Sequence, residues 1–264
     1  KNPRERRERM AKTLKRTQAG RLVYAVVYSA VTAGDSPRAR AQKQKASSWA
    51  REKLNARTSF QKLERMLAAN FDDGDLFLTV TYDDKHLPDN REKAVRRVRS
   101  FLTNLRKVRK ARGQPLHYIY VTEGACPGGR LHHHLVLNST GNDLEEIRRL
   151  WIYGDNVDLR RLTFHKDYTY EDLASYLTKE PREWGHPQVG ERTWTPSLGL
   201  NRPEPDTESV PDYVTLTAPS EAVVLEKEGP VINGYGEFAW IKYLLPKDTR
   251  KKRSRSRRRR RKKE

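Results

Sequence analysis

Nine consecutive residues constrain this chain more than any others: Arg130-Leu131-His132-His133-His134-Leu135-Val136-Leu137-Asn138. A Gly-Gly pair stands just before them, and the run is apolar and β-capable, so it predicts a strand. Alternate side chains of a strand share a face, which sends His132 and His134 the same way, about 6.6 Å apart along the backbone. His133 points to the opposite face. Two imidazoles at that spacing can converge on one divalent cation. The competing reading is three histidines that merely cap a sheet face.

The flanking sequence supplies partners for that strand. Leu76 to Tyr82 is β-branched and aromatic and predicts a strand. Asp89-Asn90 offers a helix cap. Beyond it Val95, Val98, Phe101, Leu102, Leu105 and Val108 recur at helical spacing, with arginines on the other face. Leu116 to Thr122 predicts a second strand, and Ala125 to Gly129 a turn. Helices are expected over 143–151 and 169–179, the latter with Pro181 just past its end, and a fourth strand over 157–164. The order β-α-β-β-α-β-α predicts an α+β domain, an antiparallel sheet with helices packed on one face.

Both ends differ from this middle. A formal charge of +20 and a pI near 10.1 mark a polyanion partner, most often nucleic acid. No long apolar run argues for a membrane. The single cysteine, Cys126, excludes an internal disulfide framework and a Cys-based zinc finger. No signal-peptide pattern stands at Lys1, so secretion is not expected. Residues 1–70 read as a basic extension, partly helical from about Ser47 to Ala69. Leu22 to Tyr28 fits either a strand or a buried helix. Residues 71–200 read as the central domain, and Gly185 to Asp212 as a long loop. Residues 201–246 form a C-terminal segment with added strands over 213–225 and 238–245. Residues 247–264 are a basic tail, expected to be disordered when free. Its Arg257, Arg258, Arg259, Arg260 and Arg261 are expected to contact DNA phosphates without reading sequence.

Two further constellations carry chemistry. If 116–123 and 131–138 form an antiparallel hairpin, Glu123 falls almost opposite His132, with Cβ atoms about 5 Å apart. His132, His134 and Glu123 then make a two-nitrogen, one-oxygen set suited to Mn²⁺ or Mg²⁺ beside a phosphate oxygen. Tyr176 and Lys179, three apart on a helix, share a side. A tyrosine is a weak nucleophile at its free pKa of about 10, and it needs a nearby cation and a polarised phosphate to attack. The alternative puts Tyr176 on the core face with Leu173 and Leu177. Tyr168 and Tyr170 compete as nucleophiles, and His165 as an extra ligand.

In order and spacing these features resemble the HUH endonucleases, and more narrowly the phage and plasmid rolling-circle replication initiators (Rep proteins). Leu76 to Tyr82 resembles their first motif strand, His132-His133-His134 their His-hydrophobic-His, and Tyr176 to Lys179 their Tyr-x-x-Lys. The middle histidine departs from the usual bulky apolar residue, a change that suits a face only partly buried. Trp194 to Pro203 also resembles a segment downstream of the tyrosine in phage Rep proteins. Position 180 is Glu and position 172 is Asp, which argues against a second tyrosine four residues away.

The resemblance implies an HUH fold, RRM-like in its sheet, with His132, His134 and Glu123 as ligands of Mg²⁺ or Mn²⁺. Tyr176 is then the nucleophile and Lys179 its electrostatic helper. The implied activity is nicking of single-stranded DNA at a replication origin hairpin, leaving a 5′-phosphotyrosine link and a free 3′-hydroxyl. A relaxase- or transposase-like nuclease and a non-catalytic nucleic-acid-binding protein are the alternatives. No G-x-x-x-x-G-K-[ST] occurs, so unwinding is expected to fall to a separate host helicase, and synthesis to a host polymerase. The expected location is the cytoplasm of a bacterial host, or the nucleus if the host is eukaryotic.

Overall fold

The computed structural model describes residues 12–30, 48–124, 128–165, 168–179, 193–233 and 236–247. Cys126 and Arg257 to Arg261 lie outside them. In chain order the elements are β1 (Lys12–Ala19), β2 (Leu22–Ala30), α1 (Ser48–Asn70), β3 (Leu76–Thr81), α2 (Arg91–Ala111), β4 (Tyr118–Glu123) and β5 (His132–Leu137). There follow α3 (Asp143–Leu150), β6 (Val157–Arg161), α4 (Tyr170–Leu177), β7 (Thr195–Pro196), β8 (Asp206–Val210), β9 (Val223–Asn233) and β10 (Gly236–Leu244). They divide into two compact units, one within residues 47–202 and the other drawn from both ends of the chain. Among the described residues no helix is long and apolar enough to cross a membrane.

The unit within 47–202 is built on an antiparallel sheet of order β6-β3-β5-β4-β7. On one face Leu76, Leu78, Val80, Leu135 and Leu137 pack against Ala94, Val98, Phe101, Leu102 and Leu105 of α2 and Ile147 of α3. Asn90 caps α2 by accepting from the Lys93 N–H. The apolar stripe of α2 is the expected one at its centre and shifts at its ends. Ala94 and Arg109 are the buried end residues in place of Val95 and Val108. Arg109 is therefore an exception to the arginines-outward pattern. Its guanidinium pairs with Asp143 at 2.9 Å and donates to the Asn138 carbonyl.

The α+β class holds, but helices take both faces of the sheet rather than one. Val121, Val136 and Ile119, which alternate away from α2, are fully buried as well. Helix α4 reaches this second face, where its Tyr176 ring meets Phe77 and His134. Helix α1 belongs to the same unit: the Tyr170 hydroxyl of α4 donates to the Phe71 carbonyl just after α1. The unit therefore begins near residue 47, not at 71.

The other unit is an antiparallel sheet of order β8-β1-β2-β10-β9. Leu22 to Tyr28 is a strand, because Val23, Ala25 and Val27 alternate onto one face with Leu14, Ile241 and Tyr243. Residues 12–30, read as part of an extension, are thus two strands of a sheet completed by β8 and β10. Within the stretch expected to be a long loop, β7 and β8 form short strands. Residues 213–222 stay irregular, and the added strands start at Val223 and Gly236.

Candidate metal and tyrosine site

Register decides what the histidine strand faces. On β4 and β5, Glu123 stands directly opposite His132, and Val121 opposite His134. Glu123, His132 and His134 share one face, and their nearest ligand atoms all lie within 4.8 Å of one another. Glu123 Oε2 is 3.6 Å from His132 Nε2 and 3.5 Å from His134 Nε2. The two Nε2 atoms are 3.1 Å apart.

The rest of each imidazole is committed. His132 Nδ1 lies 2.9 Å from the Arg130 carbonyl. A carbonyl only accepts, so Nδ1 carries the proton and Nε2 presents its lone pair. His134 Nδ1 is held 3.0 Å from Thr79 Oγ1. Gly124 secures the Arg130 carbonyl. Its φ is +84°, and a Cβ there would stand 2.0 Å from that oxygen.

Such a set fits a divalent ion. Nitrogens 3.1 Å apart suit two ligands each about 2.1 Å from one cation. Glu123 is 2 % exposed, and its Oε1 has no hydrogen-bond partner among the described residues. Burial opposes ionisation of Glu123. The His132 and His134 imidazoles and the Lys179 ammonium outweigh it, and the carboxyl is held down at about 2. The group can therefore hold a metal ion through two neutral imidazoles and a carboxylate, the ligand forms that metals need.

Tyr176 and Lys179 come to the same place. Tyr176 is 42 % exposed, whereas Tyr170, Leu173, Ala174 and Leu177 form the buried side of α4. The alternative that put it in the core with Leu173 and Leu177 therefore fails. The Tyr176 ring meets His134 edge-on at 5.1 Å and Phe77 at 5.6 Å. Lys179 Nζ lies 4.3 Å from the Tyr176 ring and 3.9 Å from Glu123 Oε2. Helix α4 ends at Leu177, with Thr178 as its C-cap, so the last step to Lys179 is made by the cap.

The competing tyrosines are less open. Tyr170 is buried, stacked on Phe164 at 3.9 Å. Tyr168 is half-buried, and burial pushes its hydroxyl up from the ordinary tyrosine value. His165 pairs with Tyr168 and is not in the Glu123–His132–His134 group.

His133 does point away, but not to a partly buried face. It is fully buried, with Nε2 2.7 Å from the Tyr82 hydroxyl and Nδ1 2.9 Å from Thr122 Oγ1. Burial, helped by the charges of His132 and His134, pushes its pKa down to about 3, so it is a neutral core residue. A polar side chain is tolerated there because both ring nitrogens are satisfied.

Two residues of this face escaped the sequence reading. Thr79 orients His134, and Phe77 stacks on it at 5.5 Å while touching Tyr176. Alternation along β3 puts Phe77 and Thr79 on one face. Only the β3–β5 register, Thr79 opposite His134, reveals that the face is the histidine one.

The fold and site thus define an α+β unit carrying a Glu/His/His group beside an exposed tyrosine. Residues 75–181 match the family model for replication-associated protein of the ORF2 type, so this segment is similar to replication-associated proteins. The match runs from the start of β3 to just past Lys179. Comparison with curated proteins and with solved structures finds no match.

Proposed function

We propose that this protein initiates rolling-circle replication by nicking single-stranded origin DNA, as HUH endonucleases do. The observation that carries the reading is Lys179, which stands between the Tyr176 ring and the Glu123 carboxylate. The similarity of residues 75–181 to replication-associated proteins supports it.

Tyr176 Oη attacks the scissile phosphorus. A Tyr–O–P bond forms, the P–O3′ bond breaks, the phenol loses its proton and the departing 3′ oxygen gains one. The downstream strand is left on the protein as a 5′-phosphotyrosine, and the upstream strand ends in a 3′-hydroxyl. One phosphodiester replaces another, so the link can be reversed without ATP. Mg²⁺ or Mn²⁺ held by His132, His134 and Glu123 would polarise the phosphodiester. Phe77 and His134 fix the tyrosine ring, which lowers the entropy cost of attack. Lys179 supplies positive charge beside ring and phosphate. The basic tail, Arg257 to Arg261 included, adds sequence-independent phosphate contacts. Unwinding is left to another protein.

The test is a labelled single-stranded origin oligonucleotide incubated with the protein and Mn²⁺, then denatured. A label at the 3′ end should stay with the protein, and a label at the 5′ end should leave with the free 3′-hydroxyl fragment. Absence of any adduct, or an adduct carrying the 5′ label, contradicts the reading.

A further inference from the structure

The Glu/His/His group uses one face of the sheet. On the other face a cavity of about 210 Å³ opens between α2 and β4. It is lined by Arg91, Val95 and Arg99 of α2, Tyr120 and Thr122 of β4, and Thr193 and Thr195 of the following edge segment. Among the described residues two guanidiniums and four hydroxyls line it, and no carboxylate does. That chemistry repels cations and suits a phosphate with its sugar. In size it falls between the share of one water, about 30 Å³, and the about 300 Å³ at which pockets for drug-sized ligands begin. It has room for one backbone unit of a nucleic acid and not for a nucleotide cofactor.

The pairing around the cavity extends along the same groove. Arg99 Nε donates to the Tyr120 hydroxyl at 3.3 Å. Two helical turns further on, Arg106 donates to the Tyr118 hydroxyl, also at 3.3 Å. Each arginine keeps further N–H donors beyond the one its tyrosine accepts. Tyr118, Tyr120 and Thr122 alternate onto one face of β4, so arginines of α2 follow the strand towards its Glu123 end.

That end has an open edge among the described residues. Strand β7 pairs with β4 only at Ile119 and Tyr120. Thr122 and Glu123 are consecutive and leave the strand on opposite faces. A nucleic-acid strand crossing the β4 edge therefore meets Glu123 on one side and the cavity on the other.

We propose that this cavity binds a backbone phosphate of the single-stranded DNA, next to the phosphodiester that faces Tyr176. Arg91 and Arg99 are the charged contacts, and Thr193 and Thr195 donate to phosphate or sugar oxygens. The inference rests on the nicking reading for the identity of the strand, but it makes a binding claim of its own. Because the contacts are to the backbone, they fix how the strand lies across the site and do not read bases.

The test measures binding of a fluorescent oligothymidylate to the full chain in EDTA, where no cleavage occurs, over a series of salt concentrations. Arg99→Gln should weaken binding about tenfold. It should also lower the magnitude of the log–log salt slope by about 0.7 for the lost phosphate contact. Arg99→Lys should keep the slope. Arg149→Gln, which removes one exposed charge from α3, should weaken binding far less. Thermal melts of each variant separate lost contacts from lost fold. If Arg99→Gln and Arg149→Gln weaken binding equally while both stay folded, the cavity is not a phosphate site. The two readings fail separately. A wild-type protein that forms no adduct with Mn²⁺ while Arg99→Gln still loses binding overturns nicking alone. Adduct formation with unchanged Arg99→Gln binding overturns the cavity alone.

Discussion

Tyr82 and His133 are hydrogen-bonded in the core, hydroxyl to Nε2 at 2.7 Å. The bond ties the end of β3 to the middle of the histidine strand. It also gives His133 a purely structural part, although it is flanked by both candidate ligands. His133→Ala should cost about 2 kcal/mol or more of stability, because it opens a cavity and orphans two hydroxyls. It should leave metal affinity nearly intact. The pH dependence follows from a folded pKa of about 3. The unfolded histidine takes up a proton below about 6.5, whereas the folded one does not until near 3. Its contribution is thus complete above pH 6.5 and declines as the pH falls from there towards 3. Urea denaturation at about pH 7.5 and about pH 5, on either side of the unfolded value, should show a larger loss for wild type than for His133→Gln. Equal losses would contradict a buried neutral His133.

The Arg109–Asp143 pair invites a second experiment. Both side chains are buried at 2.9 Å separation, and Asp143 also accepts from Thr140 and Gly141. Burial raises the Asp143 pKa, but the Thr140 and Gly141 donors and Arg109 outweigh it and hold it below the ordinary value. Its stabilisation is therefore present above the unfolded carboxyl pKa of about 3.9 and is lost as the pH falls through the lower folded value. Arg109→Met should destabilise by about 3–5 kcal/mol, since it leaves a buried carboxylate unpaired. Arg109→Met with Asp143→Leu should lose less than the sum of the single changes. Denaturant midpoints of the cycle decide it, and strict additivity would contradict the coupling.

Much of the site was legible in the sequence because its logic is local. Strand alternation alone separates His132 and His134 from His133, and a short hairpin nearly fixes Glu123. Tyr176 and Lys179 needed only one helical turn. What stayed hidden depends on pairing between distant segments. Thr79 and Phe77 acquire their contacts through β3–β5 register, with 55 residues separating Thr79 from His134. Arg109 looks like one more solvent-facing arginine until Asp143, 34 residues later, arrives beside it. Residues 22–28 are apolar throughout, so their period is unreadable. They are a strand because β1, β8 and β10 supply the sheet, two of them from beyond residue 200.

Metal affinity is the third point of test. His132→Ala, His134→Ala and Glu123→Ala should each remove most Mn²⁺ binding in calorimetry, and His133→Ala should not. Thr79→Val keeps the shape but removes the hydroxyl that orients His134, and it should lower affinity about tenfold or more. Unchanged affinity in Thr79→Val would show that His134 needs no such support. Equal loss from all three histidine variants would contradict the two-faced strand.

The most direct measurement locates the covalent bond. Wild-type protein is incubated with single-stranded origin DNA and Mn²⁺, digested with protease and nuclease, and read by mass spectrometry. A nucleotide is predicted on the peptide containing Tyr176. Tyr176→Phe is predicted to form no adduct while binding the same DNA with nearly wild-type affinity, since only the attacking oxygen is gone. A modified Tyr168 or Tyr170, or an adduct that survives in Tyr176→Phe, would contradict Tyr176 as the nucleophile.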